Sequence, residues 1–159
     1  MGLDISFYKA KRSKFEETRE RIEEINDLIN KEYSKTDGTI NSKYVSELSL
    51  ERDKIDPLKE VAYFREYNFL LPFFEYEENC SKIEIKKCQV ENFIEVCSEV
   101  LANHNKAMVL LPIKNYFSLS IGYYDNWYFE WVKNAKIKFK CILASFNSDE
   151  DVLIMNCDW

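Results

Sequence analysis

The chain has 159 residues, of which 46% are hydrophobic and 31% are charged. This length suits one core, so we expect a single α+β domain over residues 1–159. The excess of 28 acidic over 22 basic side chains gives a net charge of −6. That sign argues against a protein that coats nucleic acid, because neutralising phosphates requires lysine and arginine. No apolar run reaches the ~20 residues of a membrane-spanning helix, and we expect a cytoplasmic protein.

The cysteine and histidine content offers little for chemistry. Five cysteines form an odd set without a C-x-x-C pair. This favours buried, reduced thiols in a cytosolic protein without a leader peptide. The single histidine, His104, follows a predicted helix end, where the helix dipole stabilises an imidazolium at the surface. We therefore expect no metal site, no cofactor and no catalytic residue.

The first half of the chain predicts a strand, a long helix and a central helix. Residues 4–9 alternate apolar and polar side chains, which is typical of a half-buried strand. Ser13 is expected to cap a helix that runs to Tyr33. The predicted buried stripe of that helix consists of Phe15, Ile22, Ile25, Ile29 and Tyr33. A dimer through the 13–33 helix stays open, although packing within one chain is favoured by the small number of heptads.

After a loop over residues 34–42, Asp56-Pro57 predicts a helix start. The dense apolar sequence that follows predicts a central, buried helix to Phe74. The remaining predicted elements are a strand at 82–86, a helix at 89–103, a strand at 116–121, a helix from Asp125 to about Ser145 and a strand at 151–159. Four strands and four helices predict an α+β fold with a small, mostly antiparallel sheet.

The stretch from Tyr123 to Trp131 holds six aromatic side chains in nine positions. With Asp125 as the N-cap, helical spacing predicts the following core positions: Tyr128, Trp131, Val132, Ala135, Phe139, Ile142 and Leu143.

Three aromatic residues of this stretch, Tyr123, Tyr124 and Trp127, fall outside the predicted core stripe. We expect them to form a recognition surface, with Arg65 and Arg12 as neighbours. Tyrosine, tryptophan and arginine dominate the energetics of protein interfaces. The same residue types stack on nucleotide bases, so a flat ligand is the alternative.

Several short motifs are spread along the chain. They are Met1-Gly2-Leu3-Asp4, Ala62-Tyr63-Phe64-Arg65 with Asn68, Asn79-Cys80, Leu110-Leu111-Pro112, Tyr124-Asp125 with Tyr128, and Trp159. Together they resemble a family of small, uncharacterised proteins of bacteriophages and bacteria. The resemblance implies a phage or mobile-element setting and brings no activity with it.

Two functions follow as hypotheses. The leading one is a non-enzymatic cytoplasmic interaction protein, encoded by a phage or mobile element, that binds a host protein through aromatic and acidic surface. From that setting we expect it to inhibit a host defence system. The alternative is a small-ligand or nucleotide-binding protein with a pocket near Tyr63, Arg65, Asn68, Tyr124 and Asp125. A third interpretation is that these residues only determine the fold.

Overall fold

The computed structural model describes residues 3–35, 39–76, 82–113 and 124–158. The predicted strand at 116–121 and the candidate residue Tyr123 lie outside these ranges. The chain divides into two compact units, the first formed by Met1–Lys9 with Glu60–Trp159 and the second by Ala10–Lys59. The fold is α+β with a four-stranded antiparallel sheet, which confirms the predicted fold class. The single domain over 1–159 stays a prediction.

The described elements are four strands and six helices. The strands are β1 (Asp4–Lys11), β2 (Lys59–Arg65), β3 (Lys82–Glu84) and β4 (Asp151–Asp158), and the helices are α1 (Arg12–Tyr33), α2 (Ser42–Ile55), α3 (Leu70–Phe73), α4 (Lys87–Ala102), α5 (Ala107–Leu110) and α6 (Asn126–Ser145). A 3₁₀ turn over His104–Lys106 precedes α5. The predicted strands at 4–9, 82–86 and 151–159 correspond to β1, β3 and β4, and the predicted helices 13–33, 89–103 and 125–145 to α1, α4 and α6.

The sheet has the order β2-β1-β4-β3, so β2 and β3 are its edges. β3 runs antiparallel to β4, with Ile83 opposite Met155. The core face of the sheet carries Phe7 of β1 and Phe64 of β2. Both are buried, and their ring centroids are 5.7 Å apart.

Phe139 of α6 is at the centre of the first unit's core. Its ring centroid lies 4.7 Å from that of Phe93 on α4 and 4.9 Å from that of Phe7. The rings of Phe64 and Phe74 are 5.6 and 5.5 Å away. One helix residue therefore joins two strands, α4 and the residue after α3, and the tilted and edge-to-face rings add favourable quadrupole contacts to the buried area.

The second unit is a hairpin of α1 and α2 with a small core of its own, which consists of Ile25, Ile29, Val45 and Leu48. Glu32 is buried near the end of α1, and its Oε1 accepts hydrogen bonds from the Asn41 backbone N–H and from Lys35 Nζ, each at 2.8 Å. Asn41 in turn caps α2 by accepting from the Tyr44 N–H. A buried carboxylate thus organises the connection between the two helices.

The predicted central helix over 56–74 is wrong. Asp56 ends α2 instead of starting a helix, and its Oδ1 accepts a hydrogen bond from the Leu58 N–H at 2.9 Å. Residues 59–65 form β2, in which Ala62 and Phe64 are buried whereas Tyr63 is exposed. Only one helical turn, α3, follows. The dense apolar sequence is compatible with a helix and with a strand. The alternation of buried and exposed side chains every two residues favours the strand.

Two further corrections concern α1 and α2. Helix α1 begins at Arg12 after Lys11, without a side-chain cap, so Ser13 is not the N-cap. Tyr33, expected on the buried stripe, is 60% exposed. Phe15 and Ile22 are only half-buried. Helix α2 was not predicted, although its buried Val45 and Leu48 keep a helical spacing.

The cysteines are also more exposed than expected. Cys97 and Cys157 are buried, but Cys88 and Cys141 are exposed, and all four are free thiols. Burial raises the pKa of both buried thiols to about 12. Cys80 lies outside the described residues.

Candidate interaction surface on α5 and α6

The start of α6 is fixed by its N-cap. The backbone of Asp125 is extended, and its Oδ1 accepts a hydrogen bond from the Tyr128 N–H at 3.0 Å. This satisfies one of the four N–H groups that a helix leaves unpaired at its first turn. The predicted cap is confirmed, and the Asp125 carboxylate serves the helix itself.

The inward face of α6 agrees closely with the spacing of its apolar residues. The predicted core positions Tyr128, Val132, Ala135, Phe139 and Ile142 are buried, and Trp131 and Leu143 are half-buried.

Tyr128 anchors α6 to the segment after α5. Its hydroxyl donates a hydrogen bond of 2.7 Å to the Leu111 carbonyl. Burial raises the pKa of Tyr128, because the phenolate would lose its hydration there.

Tyr124 and Trp127 have different environments. Tyr124 is half-buried, with its ring edge-on to Tyr128 at 4.9 Å. Its hydroxyl oxygen accepts a hydrogen bond from the Ile113 N–H at 3.0 Å. Trp127 is 71% exposed on the first turn of α6. The exposure of Trp127 agrees with its position outside the core stripe, and a binding role stays a prediction.

The segments before and after α5 contact the start of α6. After α5, the hydrogen bonds from Tyr128 to Leu111 and from Ile113 to Tyr124 join residues 111–113 to the start of α6. On the other side of α5, the ring of His104 stacks on Phe129 with centroids 3.6 Å apart and an angle of 10°. His104 is exposed, as expected, but the sequence did not predict this stack.

Two large apolar side chains of α5 are exposed to solvent. Met108 is 69% exposed and Val109 is 79% exposed, whereas Ala107 is buried and holds the turn against the core. Together with Trp127, they are the three most exposed large apolar residues among those that the structure describes. We call Met108, Val109 and Trp127 the apolar surface. Sequence reasoning missed Met108 and Val109, because a single turn of helix has too few residues to show a periodicity.

The candidate residues of β2 have separate surroundings. Tyr63 is 40% exposed, and its hydroxyl donates to Asp4 Oδ1, which raises the pKa of Tyr63. Arg65 is exposed two residues further along the strand. Asn68 is 8% exposed, in the turn between β2 and α3. Tyr63 and Arg65 therefore share the exposed face of β2, whereas Asn68 belongs to the interior.

Contacts between the turn after β2 and the start of α6 involve two residues that sequence reasoning did not select. Tyr67 stacks on Trp131 with centroids 5.4 Å apart, and Phe69 meets Tyr128 edge-on at 5.5 Å. The aromatic residues on either side of Asn68 could have indicated these contacts, but the predicted helix over 56–74 placed them in a different element. Arg12 belongs to the second unit, and its expected place beside the aromatic stretch stays a prediction.

The described residues contain no group of three or more histidine, cysteine, aspartate or glutamate side chains arranged to hold a metal ion. None of the described helices is long and apolar enough to cross a membrane.

No protein-family model, curated protein or solved structure was found to match the chain. The structure itself assigns the class of protein, which is α+β with a four-stranded antiparallel sheet. The resemblance to phage and bacterial proteins stays a prediction.

Proposed function

We propose that this protein is a non-enzymatic interaction protein that binds another protein through the apolar surface. The observation that carries the proposal is the exposure of Met108, Val109 and Trp127, at 69%, 79% and 71%, on two neighbouring elements. Burying the apolar area of these side chains against a partner removes it from water, which is favourable by about 25 cal/mol per Å². Tryptophan is also one of the three residue types enriched among those that dominate binding energy.

The local structure favours this use because the elements are held in place before any partner arrives. Trp127 stands on the first turn of a helix of 20 residues whose N-cap is formed by Asp125. Helix α5 is held by the buried Ala107 and by the hydrogen bond at Leu111. A preorganised surface loses little conformational entropy on binding, so more of the contact energy remains as affinity.

We propose a protein of the host cell as the partner and the cytoplasm as the location. The resemblance to phage and bacterial proteins is what supports a phage or mobile-element origin. Inhibition of a host defence system is proposed on the same basis and rests on no residue of the surface.

The nucleotide-pocket alternative receives less support from the contacts of its residues. The Asp125 carboxylate accepts from the N–H of Tyr128, and the Tyr124 hydroxyl accepts from the N–H of Ile113. Asn68 is nearly inaccessible to solvent. These contacts favour the interpretation that the three residues act as determinants of the fold.

The test is site-specific photo-cross-linking. A photoreactive phenylalanine analogue is placed at position 127 or 109 in the full chain, and a matched control carries it at Leu50, which is 60% exposed on α2. After irradiation in host lysate, we expect one protein to be cross-linked from positions 127 and 109 but not from position 50. Trp127→Ala should abolish its capture from 109. Equal cross-linking from all three positions, or capture that survives Trp127→Ala, would contradict the proposal.

A further inference from the structure

The face of α6 opposite its buried residues is centred about 80° around the helix axis from Trp127. Its exposed positions include Lys133, Ile137 and Lys140, and Ile137 is 52% exposed. Lys133 precedes Ile137 by four residues and Lys140 follows it by three. Residues at these spacings are neighbours on a helix surface, so both ammonium groups flank one apolar side chain.

The charge of α6 is opposite to that of the chain. The helix contains four lysines against one acidic residue, Glu130, whereas the whole chain has a net charge of −6. The composition led us to expect an acidic binding surface, but the helix that carries Trp127 is basic. A concentration of one sign attracts a partner of the other sign and raises the rate of encounter.

The lysines of α6 differ in their engagement. Lys138 donates to the Tyr63 carbonyl at 2.6 Å, and Lys133 lies 3.6 Å from Glu130 in a solvent-exposed pair. Lys136 and Lys140 form no ion pair with any residue of the described ranges. Lys140 is exposed as well, so its charge is available to a partner.

We infer that the outward face of α6, formed by Lys133, Ile137 and Lys140, binds an acidic segment of the partner protein in which an apolar side chain lies between carboxylates. The inference rests on the proposed function, since it gives the same partner a second contact on the helix that carries Trp127. Ten residues separate Trp127 from Ile137, which corresponds to about 15 Å along the axis.

An acidic protein segment fits this face better than a nucleic acid does. A phosphate backbone would be neutralised by the lysines but would gain nothing from Ile137. Nucleic-acid binding also requires a broad positive potential, and the net charge of the chain is −6. A second copy of the chain is the other possible occupant. The experiment distinguishes an acidic partner from a nucleic acid and from a second copy.

The experiment measures fluorescence anisotropy of labelled probes with the full chain. The first probe is a short peptide in which leucine and phenylalanine alternate with glutamate. The second carries glutamine at every glutamate position. A single-stranded oligothymidine is the third. The variant is the double charge reversal Lys133→Glu with Lys140→Glu. Its matched control is Lys31→Glu with Lys43→Glu, which reverses two exposed lysines on α1 and α2.

We expect the glutamate peptide to bind more tightly than the glutamine peptide. The double reversal on α6 should weaken it by about tenfold, because two attractive charge contacts become repulsive. The control should change its affinity by less than about twofold, since it makes the same change in net charge and leaves Lys133, Ile137 and Lys140 in place. Ile137→Ser should weaken both peptides.

Three results would overturn the inference. They are equal binding of the two peptides, equal losses in the variant and its control, and tighter binding of the oligothymidine. Sedimentation velocity adds a fourth, self-association of the chain that the double reversal abolishes, which would assign the face to a second copy. If cross-linking from position 127 succeeds while the peptides fail these comparisons, the acidic partner is wrong and the proposed function stands. If the peptides bind as expected while cross-linking from position 127 fails, the face formed by Lys133, Ile137 and Lys140 remains a binding site and the apolar surface is wrong.

Discussion

Trp127 and Tyr128 are adjacent in sequence and should respond to mutation in opposite ways. Tyr128 is 1% exposed, and its hydroxyl donates to the Leu111 carbonyl at 2.7 Å. Tyr128→Phe keeps the ring but leaves a buried carbonyl without this donor, which costs about 1–3 kcal/mol. Trp127 is 71% exposed, so Trp127→Ala should change the free energy of unfolding by less than about 0.5 kcal/mol.

Urea unfolding followed by far-ultraviolet circular dichroism provides the measurement, because removing Trp127 changes the tryptophan fluorescence but has little effect on the helical signal. In thermal unfolding, a chain of this size should show a shift of about 2–4 °C for each kcal/mol. Tyr128→Ala should be more severe, at about 3–5 kcal/mol, since it also leaves a cavity among aromatic rings.

The reasoning would be refuted if Trp127→Ala lowered stability as much as Tyr128→Phe does. That result would place Trp127 in the core and remove the apolar surface on which the proposed function depends. A Tyr128→Phe variant as stable as the original chain would refute the account of the α5–α6 connection in the same way.

Three other predictions concern separate parts of the molecule. Stability should fall between about pH 9 and pH 12, because the pKa values of Cys97 and Cys157 are raised to about 12 in the folded chain and both thiols ionise more easily in the unfolded chain. Replacing both cysteines by alanine should make the urea midpoint depend less on pH over this range. Glu32→Gln should cost about 1–2 kcal/mol, since a charged acceptor for the Lys35 ammonium is lost, and hydrogen exchange should rise in α2. Lys138→Met should remove the donor to the Tyr63 carbonyl on the edge strand β2, and we expect it to promote concentration-dependent association. A variant that remains monomeric in sedimentation would contradict this prediction.

The fold class followed from the sequence where periodicity was unambiguous. In α6 a clear N-cap precedes a long stripe of apolar residues, and all five of its buried positions were predicted. The end strands β1 and β4 were predicted from alternation. In α6 the local pattern and the tertiary packing agree. The two strands are more deeply buried than alternation predicts, since β4 is buried at every position from Asp151 to Met155.

The segment over 56–74 could not be assigned in the same way. Its apolar residues are so dense that both a helix and a strand would bury most of them. The preference of Asp56-Pro57 for helix starts outweighed the alternation of Ala62, Tyr63 and Phe64. The structure uses Asp56 at the end of α2, where a following proline is equally at home because it disfavours helical backbone before it.

The candidate site was only partly predictable, since exposure depends on what the rest of the chain covers. Helical spacing separated Trp127 from its buried neighbour, which is a local property of α6. Met108 and Val109 lie on one helical turn, and their exposure depends on how the rest of the chain packs around α5. The charge of α6 was visible in the sequence as four lysines, but composition alone gave the acidic sign of the whole chain.

In the proposed function, α6 packs into the core with one face and contacts a partner with others. Phe139 and Tyr128 tie α6 into the core, and this rigidity is what allows Trp127 and Ile137 to remain exposed in fixed positions. If α6 were mobile, exposed apolar residues would lose entropy on binding and could also collapse onto the protein itself. Weakening the core contact at Phe139 should therefore reduce binding at Trp127 even where the chain stays folded.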